Sequence, residues 1–237
     1  MSNEMNSKQI LCDAIIKLNT LGLNHGATGN CSIRKEEGFL ISPSGISNDS
    51  IKSEHIILMK MDGTLVNSKK LQPSSEWRFH RDIFASRNDV NAVVHTHSVY
   101  ASALSVLGAA IPQFHYMIAV TGGKEIPCAQ YAMFGTQELS DNILKSLGKQ
   151  KACLMSNHGL ITVGNDLKEA VDIAEEVEHL SKMYVIANMP RKPHLLSDEE
   201  MNDVLKRFQS YGAVSYTHLR AHETEADLVC RLLVEKK

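Results

Sequence analysis

A chain of 237 residues with 43% hydrophobic content and six prolines has room for one well-packed domain of ordinary globular type. A formal charge of −2 and 5% aromatic residues supply no basic surface and few stacking groups, which removes nucleic acid and membrane surfaces as implied partners and leaves small molecules. No apolar run reaches membrane-spanning length, Met1 to Lys8 is polar, and Cys12, Cys31, Cys128, Cys153 and Cys230 stand singly, so a reducing, cytoplasmic setting with unpaired thiols is expected.

Apolar residues from Ser7 to Leu23 recur at three- and four-residue steps (Ile10, Leu11, Ala14, Ile15, Leu18, Leu21), which predicts an amphipathic helix weakening at Gly22. The small-residue loop Asn24 to Asn30 leads into a strand around Cys31 to Arg34; its glycines suit either an anion-binding backbone or a plain turn. Phe39 to Ile41 reads as a strand ending in Ser42-Pro43-Ser44-Gly45, a second loop with hydroxyls and a glycine. Ile56 to Met61 reads as a strand paired through Asp62-Gly63 with Thr64 to Val66.

Pro73-Ser74-Ser75-Glu76 opens a helix to about Arg87, with Glu76 expected in its first turn, where a carboxylate ordinarily complements the helix dipole. The run Asn91 to His97 predicts a strand whose His95 and His97, at i and i+2, share a face and can reach one ion. On that pair alone, a structural role is as good a reading. Ser98 to Leu107 is a helix, Ala119 to Gly123 a loop, Ile126 to Tyr131 a strand, and Thr136 to Leu147 a helix ended by Gly148. Ala152 to Met155 and Leu160 to Val163 are strands separated by a break holding His158. Asp166 to Met189 is the longest helix, with Glu175, Glu176 and Glu178 expected on a solvated face. Ser197 and Glu200 form a capping box for a last helix ending near Gly212.

Residues 213–237 lack the preceding periodicity and resemble vector-derived sequence; they are set apart from the domain at 1–212, and His218, His222 and Cys230 are not taken as a metal site. His95, His97 and His158, without a neighbouring thiol, form a set of the type that holds catalytic zinc, with Glu76 as a fourth ligand or a base. No lysine sits in an apolar strand context that would prepare it for Schiff-base chemistry.

Gly29-Asn30, Ile41-Ser42-Pro43-Ser44-Gly45-Ile46, Pro73-Ser74-Ser75-Glu76-Trp77-Arg78-Phe79-His80, Asn91 to His97, His115-Tyr116-Met117, Phe134-Gly135-Thr136 and His158-Gly159-Leu160 together resemble the class II aldolase/adducin family, in order, from about residue 8 to Gly212. The resemblance implies an α/β fold: a single domain with a mostly antiparallel central β-sheet covered by helices on its faces. It also implies one Zn2+ per subunit on His95, His97 and His158, with Glu76 as acid/base carboxylate or further ligand. The phosphate pocket falls on Asn30, Ser44, Gly45, Ser74 and Ser75, and the substrate is a sugar phosphate, a deoxy-ketose 1-phosphate cleaved to dihydroxyacetone phosphate and an aldehyde. Tyr116 matches a tyrosine lent by a neighbouring subunit of a homotetramer, where it would take the proton of the hydroxyl that becomes the aldehyde. Phe208 and Tyr211 match aromatic residues that help close the pocket. In one departure, Ala27-Thr28 stands where the family pattern has the reverse order, which puts a hydroxyl contact to phosphate in doubt. Sibling enzymes with the same ligands remain open, among them a methylthioribulose-1-phosphate dehydratase and a sugar 4-epimerase, the last resembling a version with aspartate at Glu76. An adducin-like interaction domain without activity is the rival of another class.

Overall fold

The computed structural model describes residues 2–66 and 71–211. The set-apart segment at 213–237, with His218, His222 and Cys230, lies outside the described residues, as does the side chain of Tyr211.

Eight strands form one sheet in the order β4-β3-β2-β1-β5-β8-β7-β6. They are β1 (Asn30–Lys35), β2 (Gly38–Ile41), β3 (Ile57–Met59), β4 (Leu65–Val66), β5 (Ala92–Thr96), β6 (Cys128–Ala129), β7 (Ala152–Met155) and β8 (Gly159–Gly164). All pairings are antiparallel except that of β6 with β7. The helices are α1 (Ser2–Thr20), α2 (Trp77–Ser86), α3 (Val99–Ser105), α4 (Gln137–Leu147), α5 (Leu167–Asn188) and α6 (Asp198–Tyr211).

Because side chains alternate along a strand, β5 sends Ala92 and Val94 into one core and Val93 into the other. The first core takes Leu11, Ile15 and Leu18 of α1 and Val171, Ala174 and Val177 of α5. The second takes Phe79, Ile83 and Phe84 of α2 and Leu139, Ile143 and Leu147 of α4. Burying each such large side chain contributes about 1.5–3 kcal/mol, so covering both faces holds the central strands rigid. The expected α/β domain with a helix-covered, mostly antiparallel sheet is the one observed.

Local chemistry sets the boundaries. The Thr136 hydroxyl accepts from Leu139 N and starts α4, and Gly148, at φ +51°, ends it. Ser197 and Glu200 make the reciprocal capping box ahead of α6. Asp62-Gly63 turns β3 into β4, with Asp62 Oδ1 accepting from Thr64 N.

Four expectations are corrected. Helix α2 begins at Trp77, so Glu76 is the residue before it and not part of its first turn. The stretch taken as a loop at Ala119 belongs to a 3₁₀ turn, Tyr116–Thr121, closed by left-handed Gly122. The strand expected over Ile126 to Tyr131 contracts to Cys128–Ala129, because Pro127 has no N–H to donate and Ile126 instead bridges Ile111. Glu178 is not on a solvated face: its carboxylate accepts from Tyr100 N and Ala101 N and caps the start of α3.

Candidate metal and phosphate site

The register of the sheet assembles the site. Asn30, the first residue of β1, lies opposite His95 of β5, and His95 lies opposite Ile161 of β8. His97 follows the last residue of β5, and His158 precedes the first residue of β8, in the tight β7–β8 connection. Two features fix that corner. Gly159 has no room for a side chain, since a Cβ there would run into Thr96 O and crowd the rings of His95 and His97. His97 N donates to Asn24 Oδ1 at 3.0 Å, which ties the end of β5 to the loop after α1.

The three imidazoles meet edge to face, with ring centroids 4.8, 4.9 and 5.1 Å apart. One potential ligand nitrogen from each lies within 4.8 Å of the others. His95 Nδ1 donates to Leu160 O at 2.9 Å; a carbonyl only accepts, so the neutral ring carries its proton on Nδ1 and presents a bare Nε2 lone pair. That Nε2 lies 2.9 Å from His97 Nε2 and 3.3 Å from Glu76 Oε2. Glu76 Oε1 lies 3.2 Å from His158 Nε2 without hydrogen-bond alignment, and is a buried oxygen with no hydrogen-bond partner. A bare nitrogen and a carboxylate oxygen at such distances repel one another unless a proton or cation lies between them. The donor set fits a divalent ion with mixed nitrogen and oxygen ligands.

The electrostatics agree. Burial alone would raise the Glu76 carboxyl, but His95, His158 and the Asn30 amide draw it well below the usual carboxylate range. Burial pushes His95 down to about 3, against the pull of Glu76, and burial also lowers His97. The Glu76 carboxylate is therefore ionised and the His95 imidazole neutral, the forms that bind metal. By contrast, burial raises the Cys31 and Cys153 thiols to about 12, which leaves neither as a thiolate.

A cavity of about 360 Å³ opens onto this cluster. Its walls include His97, His158 and Glu76 together with Asn30, Ser44, Gly45, Ser74 and Ser75, so the residues expected for phosphate share one space with those expected for metal. The two serine loops are joined by Ser44 N donating to Gln72 O and Ser74 N donating to Ser42 O. Gly45 takes φ +74°, which directs that loop's backbone around the pocket. Thr28 also lines the cavity, so the reversed Ala27-Thr28 order still leaves a hydroxyl residue at the wall.

Tyr116 does not line the cavity; it is 52% exposed on the 3₁₀ turn against which α6 packs. Phe208 packs beside the first core and is likewise absent from this chain's cavity wall. Tyr131 and Asn157 line the cavity without any site signal in the sequence, and Phe134, part of the Phe134-Gly135-Thr136 motif, lines it too. Asn157 takes φ +56°, the one non-glycine residue at positive φ among those described, and asparagine in a tight strand connection could have suggested it.

His80 ends the Pro73 to His80 motif with no site role of its own legible in the sequence. It is fully buried on α2, one turn after Glu76, with its ring stacked on Phe79. Its Nδ1 lies 2.6 Å from Ser32 Oγ and its Nε2 lies 2.5 Å from Asn30 Oδ1.

The sequence pattern of the family described as Class II Aldolase and Adducin N-terminal domain matches residues 9–185. A 5-methylthioribulose-1-phosphate/5-deoxyribulose-1-phosphate aldolase of Rhodospirillum rubrum is 45% identical over 202 residues, covering 85% of this chain and 90% of the relative. The L-fuculose phosphate aldolase of Escherichia coli strain K12 is 44% identical over 207 residues, 87% of this chain and 95% of its own. Among solved structures, an L-fuculose 1-phosphate aldolase superposes with a TM-score of 0.82 at 37% identity, covering 85% of this chain and 95% of that one. With the family pattern running through both cores and every strand of the sheet, the chain belongs to the class II aldolase and adducin family.

Proposed function

We propose that this protein is a zinc-dependent aldolase that reversibly cleaves L-fuculose 1-phosphate, or a similar deoxy-ketose 1-phosphate, to dihydroxyacetone phosphate and L-lactaldehyde or the corresponding aldehyde. The observation that carries the reading is the convergence of His95, His97 and His158 beside Glu76, with His97, His158 and Glu76 lining the same cavity as Ser44, Gly45, Ser74 and Ser75. The three histidines would hold the ion, one per subunit, with Glu76 beside it. A bound dication would supply Lewis-acid stabilisation of the charge left on carbon when the bond β to the ketone breaks.

The remaining work falls to the chain. Serine hydroxyls and backbone N–H groups, beside the start of α2, bind the phosphate as a helix N-terminus and small donors do elsewhere. They fix the substrate by its far end. In the condensation direction the ionised Glu76, whose buried Oε1 has no hydrogen-bond partner, takes the proton from the carbon beside the ketone of dihydroxyacetone phosphate, and in cleavage the carboxyl so protonated returns it to the ketone fragment. Tyr116 takes the proton from the hydroxyl that becomes the aldehyde. Exposed and outside this chain's own cavity, Tyr116 would be delivered by a neighbouring subunit of a homotetramer, as the family resemblance implies.

A second reading keeps the chemistry and changes the aldehyde. The Rhodospirillum rubrum and Escherichia coli relatives are about equally similar yet are named for different sugars. A 5-deoxyribulose or methylthioribulose 1-phosphate shares the phosphate-bearing ketone end with fuculose 1-phosphate, so the serine loops do not discriminate between them. A non-enzymatic interaction domain would not need this donor set to be intact. The test offers dihydroxyacetone phosphate with L-lactaldehyde and a panel of other aldehydes, and follows cleavage of each product. Preference for L-lactaldehyde supports the first reading, preference for another aldehyde supports the second, and no carbon–carbon bond chemistry with any of them overturns both.

Among the described residues, no helix is long and apolar enough to cross a membrane.

A further inference from the structure

Glu76 is not held by the histidines alone. Asn30 Nδ2 donates to Glu76 Oε2 at 2.9 Å, and the same amide's Oδ1 meets His80 Nε2, whose ring meets Ser32 on its other side. The direction of every bond in this buried chain is determined. An ionised carboxylate only accepts, so the Asn30 amide must face it with its NH2 group, which leaves Oδ1 toward His80. Oδ1 only accepts, so His80 Nε2 carries the proton, and a neutral ring then accepts from the Ser32 hydroxyl at Nδ1.

The geometry follows from two short spacings. Asn30 and Ser32 are i and i+2 on β1 and share a face. Glu76 and His80 are i and i+4 across the start of α2. His80 is inserted between the strand and the helix with no exposed surface, and its face is occupied by Phe79, which itself lies edge-on to His95.

We propose that His80 is a positioning residue for Glu76, acting through Asn30: it fixes the orientation of the Asn30 amide, which pins Glu76 Oε2 and leaves Oε1, beside His158, as the oxygen that Asn30 does not engage. The assignment rests on the aldolase reading for its functional consequence, but not for its geometry. It also changes the role of Asn30. With one N–H committed to Glu76, only the second remains for phosphate, so Asn30 links the phosphate end of the cavity to the carboxylate.

The test compares His80→Gln, whose amide N–H has comparable reach to Asn30 Oδ1, with His80→Asn, which is polar but too short, and His80→Phe, which fills the space without a donor. In the zinc-loaded oligomer, His80→Phe and His80→Asn are expected to lower kcat about 10–100-fold, the usual cost of losing a group that orients a site residue, with KM for the ketose phosphate little changed. His80→Gln should recover most of the rate. Placed in a Glu76→Gln background, His80→Phe should cost less than about threefold more, because two residues acting through one carboxylate are not additive. The idea is overturned if the His80→Phe factor multiplies in full onto Glu76→Gln, or if His80→Asn and His80→Gln are equally active.

A crystal structure of His80→Phe, or of His80→Asn should the first variant not fold, gives a readout independent of turnover. Rotation of the Asn30 amide and of the Glu76 carboxylate is expected; unchanged orientations of both overturn the proposal even if the wild-type protein cleaves no ketose phosphate. In that last event the aldolase reading fails separately, on the wild-type assay alone.

Discussion

The two halves of the cavity are built by different means. The inner wall sits at the ends of secondary structure: His95, in β5, is 0% exposed and Glu76, just before α2, is 7%, each held by a hydrogen bond to the sheet. The rim is made of connections: Tyr131 and Phe134 are 58% and 62% exposed, and Tyr116, at 52%, does not face the cavity of its own chain. Large exposed aromatics around an otherwise polar cavity are surface that a second subunit can cover. Under the proposed reading, the contrast teaches that binding the ion would require only the folded chain, whereas completing the reaction would require assembly.

The largest expected effect tests the inner wall. Removal of metal by a strong chelator, or His97→Ala, should abolish turnover, with re-addition of zinc restoring the chelated wild type but not the variant. Zinc content by elemental analysis should be about one per chain in wild type and near zero in His97→Ala. Turnover that survives thorough chelation would separate the histidines from the chemistry. Next in size, Glu76→Gln should retain the fold and lose roughly 10²–10⁴ in kcat, the range of a general acid–base group. If instead its zinc content falls in parallel with its rate, Glu76 serves as ligand and not as proton carrier.

How much of this was legible in the sequence follows the same division. The inner wall was readable because its residues sit where periodicity breaks at strand ends: His95 and His97 close the β5 run, and His158 interrupts two apolar segments, of which Ala152 to Met155 matched β7 residue for residue. The start of α2 was misjudged by one residue, since hydroxyl and acidic residues all suit a helix start and only backbone geometry shows that Glu76 precedes it. His80 was hidden because a histidine on a helical face beside Phe79 and Ile83 reads as core; its meaning depends on Asn30 and Ser32, about fifty positions away. Glu178 misled for the parallel reason: a carboxylate in a charge-rich helix reads as solvated until α3 is placed against it. The roles of Tyr116 and Phe208 came from the family resemblance alone, and neither side chain lines the cavity of its own chain.

The rim is tested by Tyr116→Phe, expected to fall toward the lower end of the same acid–base range in kcat while keeping its zinc. Mixing separates the two halves. Oligomers of Tyr116→Phe and of Glu76→Gln are each poorly active, yet dissociation and joint reassembly should create sites that combine an intact Glu76 from one subunit with an intact Tyr116 from another. Partial recovery of the wild-type rate is the expected result. If mass measurement confirms hetero-oligomers and the rate stays low, Tyr116 serves its own chain or none, and the division between wall and rim is wrong.

The smallest expected effects concern two glycines and ask how rigid the inner wall is. Gly45 has left-handed backbone but open space around its missing side chain, so Gly45→Ala should cost only the conformational penalty, about 1–2 kcal/mol, with zinc affinity unchanged. Gly159 is the reverse case: its φ is not in the left-handed region, but a Cβ would meet Thr96 O and press on His95 and His97. Relief requires β5 and β8 to separate where they are hydrogen-bonded on either side, at Thr96 opposite Leu160. Gly159→Ala should therefore cost roughly 1–3 kcal/mol in chemical denaturation and weaken zinc binding as well, since the displaced groups are the ligand-bearing ones. Equal stability losses with zinc affinity untouched in both variants would mean that the histidine corner yields easily, and that the fixed geometry of the wall is not what prepares the site for its ion.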